Sequence, residues 1–311
     1  MSELPLILFV PGLRPKPEPE RHKTELLRCL AEGVGRIDSA VAADLQAHAG
    51  CLEVIAWTFP FYGVHHDIEL DLPGIDALIE TEGASPRDRA DAESWALRVM
   101  GSLYRFADRL PFHVPPIGNE TLELHLKDLR RYVRNKSGVA DTTRELLQAP
   151  LVEAARRGRP TLLIGHSMGS VIAFDTLWQL SHESEDAFHL DTLLTLGSPL
   201  GQNLIRRQLL GHERQRGDRY PRNIRRWINI SAVGDMTAFE PKVAGYFSEM
   251  KQLQLIDSIE DHTTYNYFRQ HGQGGHLNAH SEYGYLVNGL TAGIIAKWWA
   301  ENRTAASGQR P

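Results

Sequence analysis

Six short apolar or β-branched runs, each followed by turn residues and interleaved with helical patterns, predict an α/β protein with a doubly wound, mostly parallel sheet. Two observations strengthen that reading. The run at 161–165 passes straight into a helical pattern through Gly165-His166-Ser167-Met168-Gly169, a strand–turn–helix junction. The 311 residues also suit one large domain with an insertion better than two separate ones.

The runs are residues 6–10, 52–57, 161–165, 192–196, 227–230 and 253–256. Helical patterns occupy 24–34 and 39–48 after the first run, and 122–135 and 142–157 before the third. Further ones cover 170–181, 201–210 and 283–301, where apolar residues recur at helical spacing. The alternation fails between 61 and about 120, which holds no strand pattern. Within it Trp95, Val99, Leu103, Phe106 and Leu110 form one helical stripe, while 67–93 carries nine acidic residues against Arg87 and Arg89. This segment is expected to be an inserted helical cap whose stripe turns partly to the site and whose acids turn to solvent. A decoration packed beside the sheet would give the same pattern. The expected organisation is therefore a discontinuous core of 1–60 and 121–302, a cap or lid of 61–120, and a flexible polar tail of 303–311.

A net charge of −5 gives no whole-chain attraction to nucleic acid or anionic membrane. No segment approaches the roughly 20 apolar residues of a spanning helix. The first residues lack a basic, signal-like start, so 6–10 reads as a buried strand. Cys29 and Cys51 are expected to be free buried thiols, which with the missing signal suggests a cytoplasmic protein. Eight arginines between Arg206 and Arg226 fit a solvated loop, an acidic-partner site, or a partner for the acidic cap.

Glycine at 165 and 169 suits a turn too tight for side chains, which lifts the Ser167 hydroxyl to the end of the sheet. A serine that only caps the following helix is the plainer alternative. As a nucleophile Ser167 needs a base, usually histidine held by a carboxylate. Asp235 follows the fifth run and His280 precedes the last helix, so the order is Ser167, Asp235, His280. Asp257 and Asp261 are alternative acids. His276 and His280 are four apart, but Leu277 stands where a zinc peptidase needs glutamate, so no metal is expected. Trp57, Phe59, Phe61 and Tyr62 flank the same sheet end and could wall an acyl group or simply pack in the core; Phe106 of the stripe could do either.

These motifs resemble the α/β-hydrolase superfamily, and within it the lipase- and esterase-like serine hydrolases. Val10-Pro11-Gly12-Leu13 is similar to the oxyanion loop, Leu196-Gly197-Ser198-Pro199-Leu200 to a Leu-Gly-Ser/Thr-Pro turn, and Ala279-His280-Ser281-Glu282-Tyr283 to a His-Ser-x-Tyr ending. Pro11-Gly12 replaces the more usual His-Gly, and the chain starts at the oxyanion-loop strand, which implies a minimal parallel core. The resemblance implies backbone N–H donors at Leu13 and Met168 for an oxyanion, with Gly12 permitting close approach. It implies hydrolysis of a small-molecule carboxylic ester, acyl- or lipid-like, through an acyl-enzyme, with no cofactor. Acyl transfer, thioester hydrolysis, or a non-catalytic binding protein on the same fold are the alternatives.

Overall fold

The computed structural model describes residues 3–109, 120–183, 189–271 and 274–307. Its elements are, in order, β1 (Leu6–Val10), α1 (Pro19–Gly35), α2 (Ser39–Ala47), β2 (Leu52–Val54), α3 (Thr58–Tyr62), α4 (Leu72–Ile79) and α5 (Pro86–Ala92). Then follow α6 (Trp95–Arg109), α7 (Glu120–Val133), α8 (Val139–Arg156), β3 (Thr161–His166), α9 (Met168–His182), β4 (Leu190–Leu196) and α10 (Asn203–Arg206). The chain continues through β5 (Ile224–Ala232), α11 (Ser248–Gln252), β6 (Ser258–Thr264), α12 (Glu282–Val287) and α13 (Gly289–Ser307).

The strands form one parallel sheet in the order β2-β1-β3-β4-β5-β6. Alternation along β1 sends Leu6, Leu8 and Val10 to one face and Ile7 and Phe9 to the other. The first face packs on Leu147 and Leu151 of α8 and on Val171, Phe174 and Leu177 of α9. The second packs on Leu26 and Leu30 of α1 and on Ile295 and Trp299 of α13. Both faces are covered, which explains why the central strands are continuously apolar. The chain leaves β1 toward β2 on one side and returns to β3 on the other. The carboxyl ends of β1 and β3 therefore flank the crevice where a parallel sheet receives ligands. Among the described residues no helix is long and apolar enough to cross a membrane, and Cys29 and Cys51 are free and buried.

Several expected boundaries shift. The sixth strand is β6, not 253–256. Leu255 and Ile256 are apolar because they pack into the core beside the sheet, whereas β6 is an edge strand and carries Glu260, Asp261 and His262. The expected helix over 201–210 shrinks to the four residues of α10, and the last helix splits at Asn288 and runs on to Ser307. Between β2 and β3, Ile68, Ile75 and Leu78 join the core of α1 and α13. The stripe of α6 does not turn to the site: Trp95, Val99 and Leu103 are exposed, at 79%, 38% and 54%. The opposite face of α6 is the one that docks. Tyr104 packs on Phe239, Arg105 donates to the Phe239 carbonyl, and Asp108 accepts the Asn203 and Leu204 amides at 2.6 and 2.8 Å. The side chain of Phe106 and residue Leu110 lie outside the described residues.

Part of the arginine-rich stretch is paired with nearby groups. Arg222 pairs with Asp218, Arg225 and Arg226 with Asp191, and Arg206 lies 3.8 Å from the Tyr246 ring centroid. The acids of 67–93 are engaged elsewhere, Asp88 and Asp91 with Arg269 at 2.8 and 2.5 Å.

Asp261 ties the sheet edge to the following loops. It accepts the Val243 and Ala244 amides at 2.8 and 3.0 Å and Asn229 Nδ2 at 2.9 Å. Asp261→Ala orphans these donors, so we expect a loss of about 1–3 kcal/mol in urea unfolding.

Candidate functional site

Ser167 sits between β3 and α9 with φ 54° and ψ −125°, a conformation disfavoured for a residue with a side chain. Backbone packing holds it there. A Cβ on Gly169 would lie 2.0 Å from the Val10 carbonyl oxygen, and one on Gly165 would lie 2.7 Å from Ser170 Cα. The Ser167 amide donates to the Leu196 carbonyl at 2.9 Å, so β4 also supports the turn. The hydroxyl makes no capping bond to α9. Met168 is the first residue of that helix, so its N–H has no intrahelical acceptor. Gly12 of the loop after β1 presses on the serine: a Cβ there would lie 2.8 Å from Ser167 Cβ.

Asp235 and His280 meet although 45 residues separate them, with His280 Nδ1 2.8 Å from Asp235 Oδ2. Asp235 is buried and accepts three further hydrogen bonds: Tyr285 Oη at 2.7 Å and the amides of Thr237 and Ala238 at 2.9 and 3.2 Å. Burial raises its pKa, but the His280 ring and the bonds from His280 and Tyr285 outweigh that and leave it below the ordinary carboxylate value. The carboxylate therefore orients the imidazole with Nδ1 protonated and Nε2 free to accept. Asp257 precedes β6 and Asp261 lies within it, so neither follows the last strand as expected.

A cavity of about 530 Å³ joins these groups; Gly12, Leu13, Ser167 and His280 line it. No hydrogen bond links Ser167 Oγ to His280, a contact that often tightens only with substrate. The wall is mixed: Arg14, Lys16, His65, His66, Asp71 and Glu282 share it with Leu13, Pro15, Pro17, Phe268 and Tyr283. None of the four expected aromatics lines it. Trp57 is fully buried and donates to the Pro11 carbonyl at 2.9 Å; Phe61 is buried against it. Phe59 stacks on His65, and Tyr62 Oη donates to Asp128 at 2.7 Å. His276 is exposed, and among the described residues no group of three or more His, Cys, Asp or Glu is placed to hold a metal.

One buried polar cluster beside the serine has no counterpart in the sequence reading. Glu282 Oε1 accepts from Lys16 Nζ at 3.0 Å and from His22 Nε2 at 2.7 Å. Glu282 Oε2 lies 3.4 Å from His166 Nδ1, and His166 Nε2 donates to the His280 carbonyl at 2.9 Å. The cluster thus joins the loop after β1, α1, the residue before Ser167 and the histidine loop. Burial opposes charge on Glu282, yet Lys16 and His22 hold its pKa well below the carboxylate range. Burial lowers His166 to about 4 despite the pull of Glu282. The available signal was a charged residue at the head of the apolar run Tyr283–Val287, together with a histidine beside Ser167.

With His166 neutral when folded and protonated when unfolded, the unfolded chain binds the extra proton between about pH 4 and the ordinary 6.5. Stability contributed by this residue therefore falls as pH drops through that window, by up to ~1.4 kcal/mol per pH unit. Urea midpoints of the wild type and His166→Gln, measured from pH 7 to 4.5, should show a flatter profile in the variant. Compared with protein-family models, with curated proteins and with solved structures, the chain matches none of them.

Proposed function

We propose that the protein is a serine hydrolase of the α/β-hydrolase type that cleaves a carboxylic ester through an acyl-enzyme. The observation that carries the reading is Ser167, held in a strained turn at the crevice between β1 and β3, opening on the same cavity as a histidine bound to a buried aspartate. The chain order, with Ser167 after β3, Asp235 after β5 and His280 after β6, agrees with the resemblance.

In this reading His280 Nε2 takes the Ser167 proton as Oγ attacks the ester carbonyl. Asp235 keeps the ring in the needed tautomer and stabilises its cation. The developing oxyanion is met by the amides of Met168 and Leu13, each worth about 3–4 kcal/mol of barrier. His280 then protonates the leaving alcohol, and a water activated by the same ring releases the acid and restores the serine. Tyr285 and the Thr237 and Ala238 amides share the Asp235 charge, so the carboxylate remains ionised throughout.

The charged groups in the wall favour a short or hydroxylated substrate over a long acyl chain, whose methylenes would gain little from Arg14, Lys16 and His66. Among the described residues of the segment 61–120, His65, His66, Asp67 and Asp71 contribute to the mouth.

Ser167→Ala should abolish both fluorophosphonate labelling and ester turnover while circular dichroism is unchanged; wild-type turnover in that variant would refute the reading. Asp235→Asn should lower kcat by about 10⁴ through the wrong His280 tautomer, whereas Asp261→Asn should retain most turnover. Across p-nitrophenyl esters, kcat/KM should fall from butyrate to decanoate; a rise with chain length would contradict the polar-substrate reading.

A further inference from the structure

The loop from Pro11 to Pro17 holds three prolines in seven residues, at 11, 15 and 17, so its φ angles are largely preset. Within it Arg14 adopts φ 76°, the left-handed region that a side chain disfavours, immediately before Pro15. The strain is held from outside. The Arg14 amide donates to Tyr62 Oη at 3.0 Å, and Tyr62 in turn donates to Asp128 at 2.7 Å. Asp128 is itself buried. A rigid, externally anchored loop thus keeps a residue in a conformation that costs energy, one position after Leu13.

The charges around the cavity show what that conformation presents. Lys16 is bound to Glu282, and His66 lies 3.1 Å from Asp71. Asp67 accepts the Glu69 amide at 3.1 Å. Glu282 Oε1 is bonded by Lys16 and His22, while its Oε2 is buried beside His166 Nδ1. Among the described charged residues of the wall, Arg14 alone has no side-chain hydrogen bond or ion pair, and it is exposed at the mouth. A guanidinium offers a fixed fork of donors that matches a two-oxygen anion, and on a preset loop little ordering is lost on binding.

We propose that Arg14 is the anion-recognition residue of this cavity, and that the acyl part of the substrate ester carries a carboxylate or phosphate group. The inference rests on the ester-hydrolase reading for its reaction, but not for its binding test. Arg14 supplies charge recognition while Leu13, its neighbour, supplies the amide for the oxyanion. The strain at Arg14 is the cost of aiming both from one loop.

The test uses two esters of equal acyl length, mono-p-nitrophenyl adipate and p-nitrophenyl hexanoate. A charged hydrogen bond predicts a preference for the adipate ester of about tenfold or more in kcat/KM. That ratio should collapse in Arg14→Gln, recover in part in Arg14→Lys, and shrink between 0.05 and 0.5 M salt. Arg14→Gly relieves the backbone, so its melting temperature should equal or exceed that of the wild type while the ratio still collapses; this excludes misfolding as the cause. In parallel, adipate and inorganic phosphate are titrated against wild type and Arg14→Gly in thermal-shift measurements, and the stronger stabiliser identifies the anion. Turnover of both esters with a ratio unaltered by Arg14→Gln overturns the anion site and leaves the hydrolase standing. No turnover of either ester, with stabilisation lost in Arg14→Gly, overturns the hydrolase and leaves the anion site. Stabilisation by neither anion overturns the proposal.

Discussion

Where α9 starts, its backbone lies against the backbone of β1, with no space between them for even a methyl group. Gly169 faces the Val10 carbonyl, Gly165 faces Ser170, and Gly12 faces Ser167 itself. A single Cβ at Gly169 would push the helix from the strand, and with it the serine from the crevice. The same crowding recurs opposite, where a Cβ on Gly197 would lie 2.7 Å from Asp235 Oδ2 and 3.0 Å from His280 Nδ1. The loops after β1, β3, β4 and β5 and the histidine loop converge because each gives up a side chain or turns sharply there. The strained φ at Ser167 follows from this convergence rather than from the serine's own preference.

Convergence of loops alone leaves their relative positions loose, and the Glu282 cluster removes that freedom. An ionised carboxylate buried at the head of α12 is costly unless it is paired with positive charge or hydrogen-bond donors. Lys16 and His22 bond one oxygen, and the other faces His166 Nδ1 at 3.4 Å without a hydrogen bond. Because these two donors come from the loop after β1 and from α1, shifting either of them leaves the buried charge less compensated. The carboxylate therefore works as a positional lock on the loop that carries His280, while Asn266 Nδ2 holds the neighbouring Ser281 carbonyl at 2.8 Å. Asp235 is treated differently: its four donors hold the carboxylate that orients the ring.

The central strands were legible because both faces of the sheet are covered. Leu6–Val10 and Thr161–His166 read as continuous apolar runs, and their positions follow within a residue. The edge strand β6 was not legible, since half its surface meets solvent and its composition, Ser258 to Thr264, looks like a loop. The run 253–256 misleads for the complementary reason: an apolar turn that packs on the core has the composition of a strand. The stripe on α6 gave a correct helix and the wrong facing. Periodicity defines an apolar side but cannot say what covers it, and the docking of α6 is made by Tyr104, Arg105 and Asp108 instead.

By itself the sequence determined the parallel α/β class, the junction at Ser167, and the order in which Asp235 and His280 follow it. These are local matters, set by hydrophobic period, by turns that admit only glycine, and by a chain direction that a parallel sheet must respect. Only the tertiary structure decided which residues wall the cavity. Trp57, Phe61 and Tyr62 were near enough in sequence to serve, but apolar rings are drawn into the core behind the loop. Arg14, Lys16 and His66 remain at the front, Lys16 paired with the buried Glu282 and His66 with Asp71. Pairing between Glu282 and Lys16 spans 266 positions, and no pattern along the chain encodes a contact that exists only once the sheet has brought its ends together.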